Sequence, residues 1–497
     1  MKQLQEKFYL KLIAYFIFLI TDLIAQVYIS ADSFYLLSLE RDQFHGIIQP
    51  NSNIIRPYFM KSKKNSFSIS FRNEHYFNNG LPNQENMDVR FFGKGYGSFN
   101  SIHLGYYGKF FAISFEPYML SNQNYSIESI SRPSPFSVMN DNRIIKQSPY
   151  FTSGIKEFQF YIHYNGVGFG ISNANMWWGP GMHSSLIMSN NTTGLTHFTI
   201  GTIEEFRSGI FGFNIKYTLA DYINNNDKKV YFSSLLGLVT IYSNPQISFG
   251  LSRNYLSGGA NYEFDWGPVD AARLLLDGWF LDDVKKDKFA WHDPWDQTIA
   301  GYFSLDFLES KIKLYLELGV DDHRANIEDL RSQPDHTLAS ISGFRKYGLF
   351  SNPNLIIGME YINLIRSRTW PHRSAGSWYA KPDYDYSSYK GRRWSAHSGS
   401  DSDDFYIIFG YLSNNFAFLP AFNYERHGVI FQQPAEIKFE WRFDFRYQYN
   451  NWLFSIYYES EYAEHLGFPE DNIYAGEVTG IRNIHTAILR TQYIIEY

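Results

Sequence analysis

The chain has 497 residues, no cysteine, 36 glycines, 39 tyrosines and 44 phenylalanines, with a formal net charge of −6. The lack of cysteine excludes a disulfide-stapled scaffold, thiolate catalysis and Cys-type metal sites, and the mild acidity argues against a nucleic-acid partner. An aromatic share of 19% beside a mean hydropathy of −0.33 fits a chain that is apolar at alternate positions, hydrophilic on average yet greasy along one face.

In chain order, residues 1–25 read as an export signal. Lys2, Lys7 and Lys11 precede the apolar run Leu12–Ile20, which is shorter than the ~20 residues a membrane-spanning helix needs. Removing this segment takes away three lysines and two acids (Glu6, Asp22), moving the net charge one unit further negative. Residues 26–497 are expected to form a single domain opening on a short helix, "ADSFYLLSLERDQ", with Asp32 as its N-cap. Strands follow at Phe67–Arg72 and in two hairpins, Ser101–Tyr118 turning at Gly108-Lys109 and Glu157–Ser172 turning at Asn165-Gly166. Further strands are read at Thr196–Thr202, Phe211–Thr218, Val230–Tyr242, Gln246–Leu256, Gln297–Phe307, Lys311–Val320, Leu355–Leu364 and Asp404–Leu412. Short helices, of the kind a barrel places at a rim or in its lumen, are expected at Pro268–Phe280 and Ala325–Gln333, and polar loops at Ser121–Pro149 and Arg368–Asp403.

The clearest segment is "IKFEWRFDFRYQY", Ile437–Tyr449. Ile437, Phe439, Trp441, Phe443, Phe445, Tyr447 and Tyr449 share one face; Lys438, Glu440, Arg442, Asp444, Arg446 and Gln448 share the other. The next hairpin turns at Asn450-Asn451, and the last strand ends on Tyr497, with Leu489, Tyr493 and Ile495 on the same face. A lipid-facing aromatic band over a charged lumen is the pattern of a transmembrane β-barrel. The candidate strands number roughly 16 to 20, and an even count is expected. A large secreted sandwich or propeller is the competing architecture; the export signal and the aromatic terminal strand favour the all-β membrane barrel.

Chemistry is sparse. His183 adjoins Ser184 and Ser185, but neighbours on an extended chain point apart and no nucleophile elbow is present. "GSDSDDF" (Gly399–Phe405) offers Asp401, Asp403 and Asp404 for a calcium ion, although a solvated acidic loop accounts for it better. No catalytic residue, metal or cofactor is therefore expected. The stretch Arg368–Trp394 interleaves aromatic and basic residues; Trp370, Arg373, Trp378, Tyr379, Arg392, Arg393 and Trp394 suit either an anionic glycan or an interfacial aromatic belt.

The segment "MWWGPGMHSSLIMSNN" carries a resemblance. Trp177, Trp178, Gly179, Pro180, Gly181, Ser185, Leu186, Ile187, Ser189, Asn190 and Asn191 resemble the Trp-Trp-Gly-Pro-Gly…Ser-Leu-Ile…Ser-Asn-Asn run of the capsule assembly protein Wzi family. "FGLSRNYLSGG", "DPWDQTIAGYFSLDF", "LYLELGVDD" and "YKGRRWSAHSGSDSDD" are similar to later segments in the same order, so the likeness spans about residues 160–415. Arg393 and Trp394 are bulkier than the pattern. The resemblance implies an outer-membrane barrel of about 18 strands with a small helical bundle. It also implies binding of surface polysaccharide to anchor capsule, without catalysis, cofactor or nucleic acid; a monomer in outer-membrane lipid is expected. A nutrient-specific or general porin is the alternative function. Pro180 and the flanking glycines suggest that Trp177–Gly181 is a structural fold-in.

Overall fold

Period-two alternation recurs along most of the chain, and its consequence is one closed sheet. The computed structural model describes residues 28–60, 66–83, 85–128, 130–141, 148–259, 266–276, 295–321, 327–368, 376–432, 434–469 and 478–496. Among these, eighteen antiparallel strands form a barrel. They are β1 Ser66–Asn78, β2 Gly95–Tyr107, β3 Phe111–Asn122, β4 Tyr150–Tyr164 and β5 Val167–Ser172. β6 is interrupted (His197–Thr202, then Phe206–Ser208), and both parts pair with β7, Phe211–Ile223. Then come β8 Lys229–Ile241, β9 Gln246–Gly258, β10 Trp295–Phe307, β11 Ile312–Asp321, β12 Leu338–Leu349 and β13 Asn352–Asn363. The circuit ends with β14 Ser402–Leu412, β15 Phe416–His427, β16 Glu436–Tyr449, β17 Trp452–Glu464 and β18 Arg482–Glu496. β18 pairs with β1, from Thr486 opposite Asn78 to Glu496 opposite Ser68, which leaves no free sheet edge.

Side chains alternate through the wall as the sequence predicts. On β9, Phe249 and Leu251 are 61% and 48% exposed while Ser248 and Ser252 are fully buried. Trp441, Phe443 and Tyr447 of β16 likewise lie on the outside. Strands of 13 residues, such as β1 and β2, exceed the ~9–11 that a tilted strand needs to cross a bilayer.

The two rims differ. One carries tight turns, including Asn165-Gly166 and Asn450-Asn451, with φ of 50° and 79° at the first pair and 50° at Asn450. Such positive dihedrals twist a hairpin in the sense of its strands. The other rim carries the long connections, among them 79–94, 123–149, 173–196 and 364–401.

Those connections do not all stay outside. The stretch read as a polar loop at Arg368–Asp403 packs into the lumen over residues 376–401, where Trp378, Tyr384, Trp394 and Ala396 join the largest apolar cluster. The reason is aromatic content: burying three large rings outweighs the loop propensity of the surrounding Ser, Asp and Gly. Part of Ser121–Pro149 is also ordered inward, with β3 running to Asn122 and Phe136 stacking edge-on against Phe468 at 4.9 Å.

The N-terminal helix α1, Leu36–Phe44, follows a single helical turn at Ser33–Tyr35, and Asp32 caps that turn by accepting the Phe34 N–H at 2.9 Å. Helices α2, Pro268–Leu274, and α3, Ile327–Ser332, lie inside their expected ranges. Expected for a rim or the lumen, α2 instead covers the outward-facing Tyr255 of β9, with Tyr217 and Leu235 beside it. The export-signal reading and the terminal Tyr497 fall outside the described residues.

The outer face yields a test. Leu251→Arg places a charge near the middle of the lipid belt and should cost about 2–4 kcal/mol. The fraction folded into lipid vesicles, read by heat-modified gel migration across a urea series, should fall accordingly, whereas a water-soluble barrel would tolerate the change.

Candidate functional site: a plugged lumen

The lumen has two kinds of lining. Strands β7 to β13 turn mostly apolar and small side chains inward, including Phe232, Leu236, Leu238, Ala300 and Ile341, with Lys313, Glu317, Arg345 and Glu360 set among them. Strands β14 to β18, with β1 to β4, turn charges inward, including Glu74, Glu116, Glu425, Glu440, Arg442, Glu459 and Arg490. A chain folding into this space needs an apolar side for one half and hydrogen-bonding groups for the other.

The Trp-Trp-Gly-Pro-Gly segment has both. Trp177 and Trp178 form a two-residue ladder with Arg56 and Ile55 of the N-terminal segment. The Arg56 guanidinium stacks on Trp177 at 4.7 Å, and Trp178 packs against Phe232 on the apolar wall at 6.0 Å. Gly179 has φ +155°, and a Cβ there would lie 2.3 Å from Glu317 Oε2. A Cβ on Gly181 would lie 2.1 Å from the Ser184 carbonyl. Both positions therefore require glycine. All of Trp177, Trp178, Gly179, Pro180, Gly181, Ser185 and Asn190 are buried.

Backbone groups inside a barrel have no ladder, and here wall carboxylates receive them. Glu360 of β13 accepts the N–H groups of Met182, His183 and Ser184 at 2.7, 3.2 and 2.8 Å, and the Tyr315 hydroxyl at 2.7 Å. Glu317 of β11 accepts the Leu186 N–H at 3.0 Å. Arg345 of β12 donates to the Pro180 carbonyl and to Glu40 of α1, both at 2.9 Å. That residue thus joins the plug entering from the long-loop rim to the helix entering from the tight-turn rim.

The other inward segments lock onto the first. Asn190 donates to the Asn86 carbonyl at 3.1 Å, and Asn191 accepts the Asn86 N–H at 2.8 Å and donates to the Ser395 carbonyl at 2.5 Å. The five described glycan candidates serve here. Trp378 donates to the Thr337 carbonyl at 2.8 Å, and Tyr379 to the Leu186 carbonyl at 2.6 Å. Arg392 bridges the Asn191 and Asp88 carbonyls at 2.9 and 2.7 Å. Arg393 lies over the Tyr379 ring at 4.9 Å, and Trp394 packs edge-on against Tyr222 at 5.5 Å. Relative exposure of these five is 1–5%, so in this arrangement they brace the plug and present no surface to solvent. Trp370 and Arg373 lie outside the described residues.

The acidic run does not gather into a calcium loop. Asp401 accepts the Ile430 and Phe431 N–H groups at 2.6 and 2.8 Å, Asp403 forms a two-pronged pair with Arg426, and Asp404 faces His183 and His397. Ser185 does not meet His183; its hydroxyl donates to the Trp178 carbonyl. The wall carboxylates Glu317 and Glu360 are not legible as plug acceptors in the sequence. Period two placed them on the lumen face, and nothing local showed that loop amides would meet them.

A cavity of about 160 Å³ remains between α1, the Met182–His183 turn and the charged wall, with Arg90, Arg442, Arg446 and Arg490 on its lining. Its arginines are paired, for example Arg90 with Asp88 at 3.2 Å and Arg490 with Glu74 at 2.6 Å. Beside it, burial acts to raise the Asp32 carboxyl, yet the guanidinium groups of Arg90, Arg490 and Arg72 hold it down at about 2.

Comparison with known proteins places these features. The model of the family described as capsule assembly protein Wzi matches residues 80–465. Among solved structures, the Escherichia coli outer-membrane protein Wzi, described as a carbohydrate-binding β-barrel involved in group 1 capsule assembly, superposes with a TM-score of 0.53. Identity is 11%, over 84% of this chain and 83% of that one. OccK5 (OpdH) and OccK7 (OpdD) of Pseudomonas aeruginosa give TM-scores of 0.42 and 0.41 at 9% and 10% identity. Each covers 88% of this chain, and 99% and 100% of its own length respectively. No curated protein matches.

Two outcomes follow from the plug's bonding. Glu360→Ala strands three buried N–H groups and a hydroxyl, each costing about 1–3 kcal/mol. Limited proteolysis of the detergent-solubilised protein should then cut near Met182–Leu186 while the strands stay intact. The second concerns Asp32, whose folded pKa of about 2 lies below its ordinary 3.8. Its stabilisation is present above pH 3.8 and lost as the pH falls through 2. Asp32→Asn should therefore lower the midpoint of heat-modified migration at pH 6 and have little effect near pH 2.

Proposed function

The chain belongs to the capsule assembly protein Wzi family, and on that premise we propose that it sits in the outer membrane and holds surface polysaccharide, helping to assemble or anchor a capsule without catalysis. Short turns face the periplasm and long loops face outward in such barrels, so the rim bearing 173–196 and 364–401 is the outer one. The observation that carries the proposal is the plug itself. Inward folding of Trp177–Asn191 and 376–401, held by Glu360, Glu317, Arg345 and Arg392, occupies the space a diffusion porin keeps for water. Exported by its N-terminal signal and working as a monomer in outer-membrane lipid, the barrel acts as a surface receptor whose outer loops are set by a rigid interior.

Within the Arg368–Trp394 stretch, roles divide. Trp378, Tyr379, Arg392, Arg393 and Trp394 brace the plug, and Trp370 and Arg373 are the pair assigned to glycan contact. Flat aromatic faces stack on pyranose rings while guanidinium groups bond hydroxyls and carboxylates.

Deleting the gene in its own bacterium should shift extracellular polysaccharide from the cell-bound to the shed fraction, and the purified barrel should retain that polysaccharide on a solid support. Trp370→Ala with Arg373→Ala should weaken retention while leaving heat-modified migration unchanged. Unaltered cell-bound polysaccharide together with no retention by the purified barrel would refute the proposal.

A further inference from the structure

Four side chains from four different parts of the chain converge at the charged side of the plug. Glu85 comes from the 79–94 connection, His183 from the Trp-Trp-Gly-Pro-Gly segment, His397 from the 376–401 segment, and Asp404 from the lumen face of β14. All are buried. His183 Nε2 and His397 Nε2 lie 3.2 and 3.0 Å from the same oxygen, Asp404 Oδ2, and His397 Nε2 lies 3.9 Å from Glu85 Oε2. The donor atoms of Glu85, His183 and His397 all fall within 4.8 Å of one another.

We propose that this cluster is a site for a divalent transition-metal ion of the zinc class, which clamps the three inward segments to the barrel wall. Three observations support it. First, ligands held tetrahedrally at about 2.0–2.2 Å from zinc lie about 3.3–3.6 Å from one another, and the three separations of 3.0, 3.2 and 3.9 Å bracket that edge. Second, His183 Nε2 has no hydrogen-bond partner despite lying 3.2 Å from a carboxylate, and Asp404 Oδ1 is likewise unpartnered. His397 Nε2, by contrast, hydrogen-bonds Asp404 Oδ2 at 3.0 Å, a bond that the ion would replace. Third, the surroundings are electron-rich. The carboxylates of Glu85, Glu425 and Glu440 share Lys438 and Arg442 as their lysine and arginine partners. Arg442 also pairs with Glu459, and Glu425 with His427. Asp404 stands outside those lysine and arginine pairs, and imidazole with carboxylate oxygen is a donor set that zinc accepts.

The ring orientations are prepared. His183 stacks on Tyr406 with centroids 4.2 Å apart and planes 9° apart, and packs edge-on against His397 at 4.4 Å. Lys438 bonds Glu85 Oε1, while Arg442 bonds Oε2 and reaches His183 Nδ1 at 3.5 Å, so the arginine fixes two members of the set at once. Binding would convert three separately folded connections into one unit, because each supplies a ligand that is weak without the others.

The test uses the full-length barrel, extracted from membranes and purified without a nickel column or chelator. Elemental analysis should find about one zinc or related ion per chain. After chelation, titration with cobalt chloride should give the visible bands of tetrahedral cobalt, saturating near one equivalent. Zinc chloride should restore protease resistance to the plug. His397→Gln and His183→Asn should each lower metal affinity about tenfold or more, whereas His427→Gln, outside the donor set, should retain the ion. If a ligand variant fails to close its barrel on a heat-modified gel, the wild-type cobalt titration decides alone. No bound metal and no tetrahedral cobalt spectrum in the wild type would overturn the proposal. So would equal binding by folded His183 and His397 variants.

Discussion

Everything inside this barrel depends on one constraint: irregular backbone placed in a lumen must find hydrogen-bond partners there. The β-ladder cannot supply them, because its N–H and C=O groups are spent between strands. The solution is a carboxylate on the wall. Glu360 gathers three consecutive amides, Met182 to Ser184, and Glu317 takes a fourth at Leu186. Remove those acceptors and the Trp-Trp-Gly-Pro-Gly turn has no reason to enter. The buried amides gain an acceptor and the buried carboxylates gain donors, so each side of the contact satisfies the other.

From that contact the rest follows in order. The turn brings Trp178 against the apolar wall and Pro180 to Arg345. Arg345 in turn holds Glu40 on α1, so the plug from the long-loop rim and the helix from the tight-turn rim share a residue. Asn190 and Asn191 then give the 79–94 and 376–401 segments something to bond. Packing rigidity and polar satisfaction are thus the same structure, which suits a protein that holds a long polymer at its rim better than one that passes small solutes through its middle.

The sequence showed the wall clearly and the filling poorly. Alternation over Ile437–Tyr449 assigned the lipid and lumen faces of β16 residue by residue, because a strand's faces are a local property. Asn165-Gly166 and Asn450-Asn451 located their turns for the same reason. The Trp177–Gly181 segment was legible as a fold-in, since a proline and two glycines do not fit a ladder. Where it went, and that residues 376–401 would follow it, was not legible. Trp378, Tyr379 and Trp394 read as a glycan platform on composition, and their burial depends on partners such as Leu186, Thr337 and Tyr222, far away in sequence. Long-range pairing of that kind leaves no period behind. Likewise, His183 was weighed against its neighbour Ser185, whereas its actual company, His397 and Asp404, lies more than 200 residues downstream.

On this account the inward segments seal the barrel. Single-channel recording of the purified wild-type protein in planar lipid bilayers tests it most directly. A sealed barrel predicts silence at moderate voltage, with at most brief, irregular openings. A steady ohmic conductance like that of a diffusion porin would contradict the account.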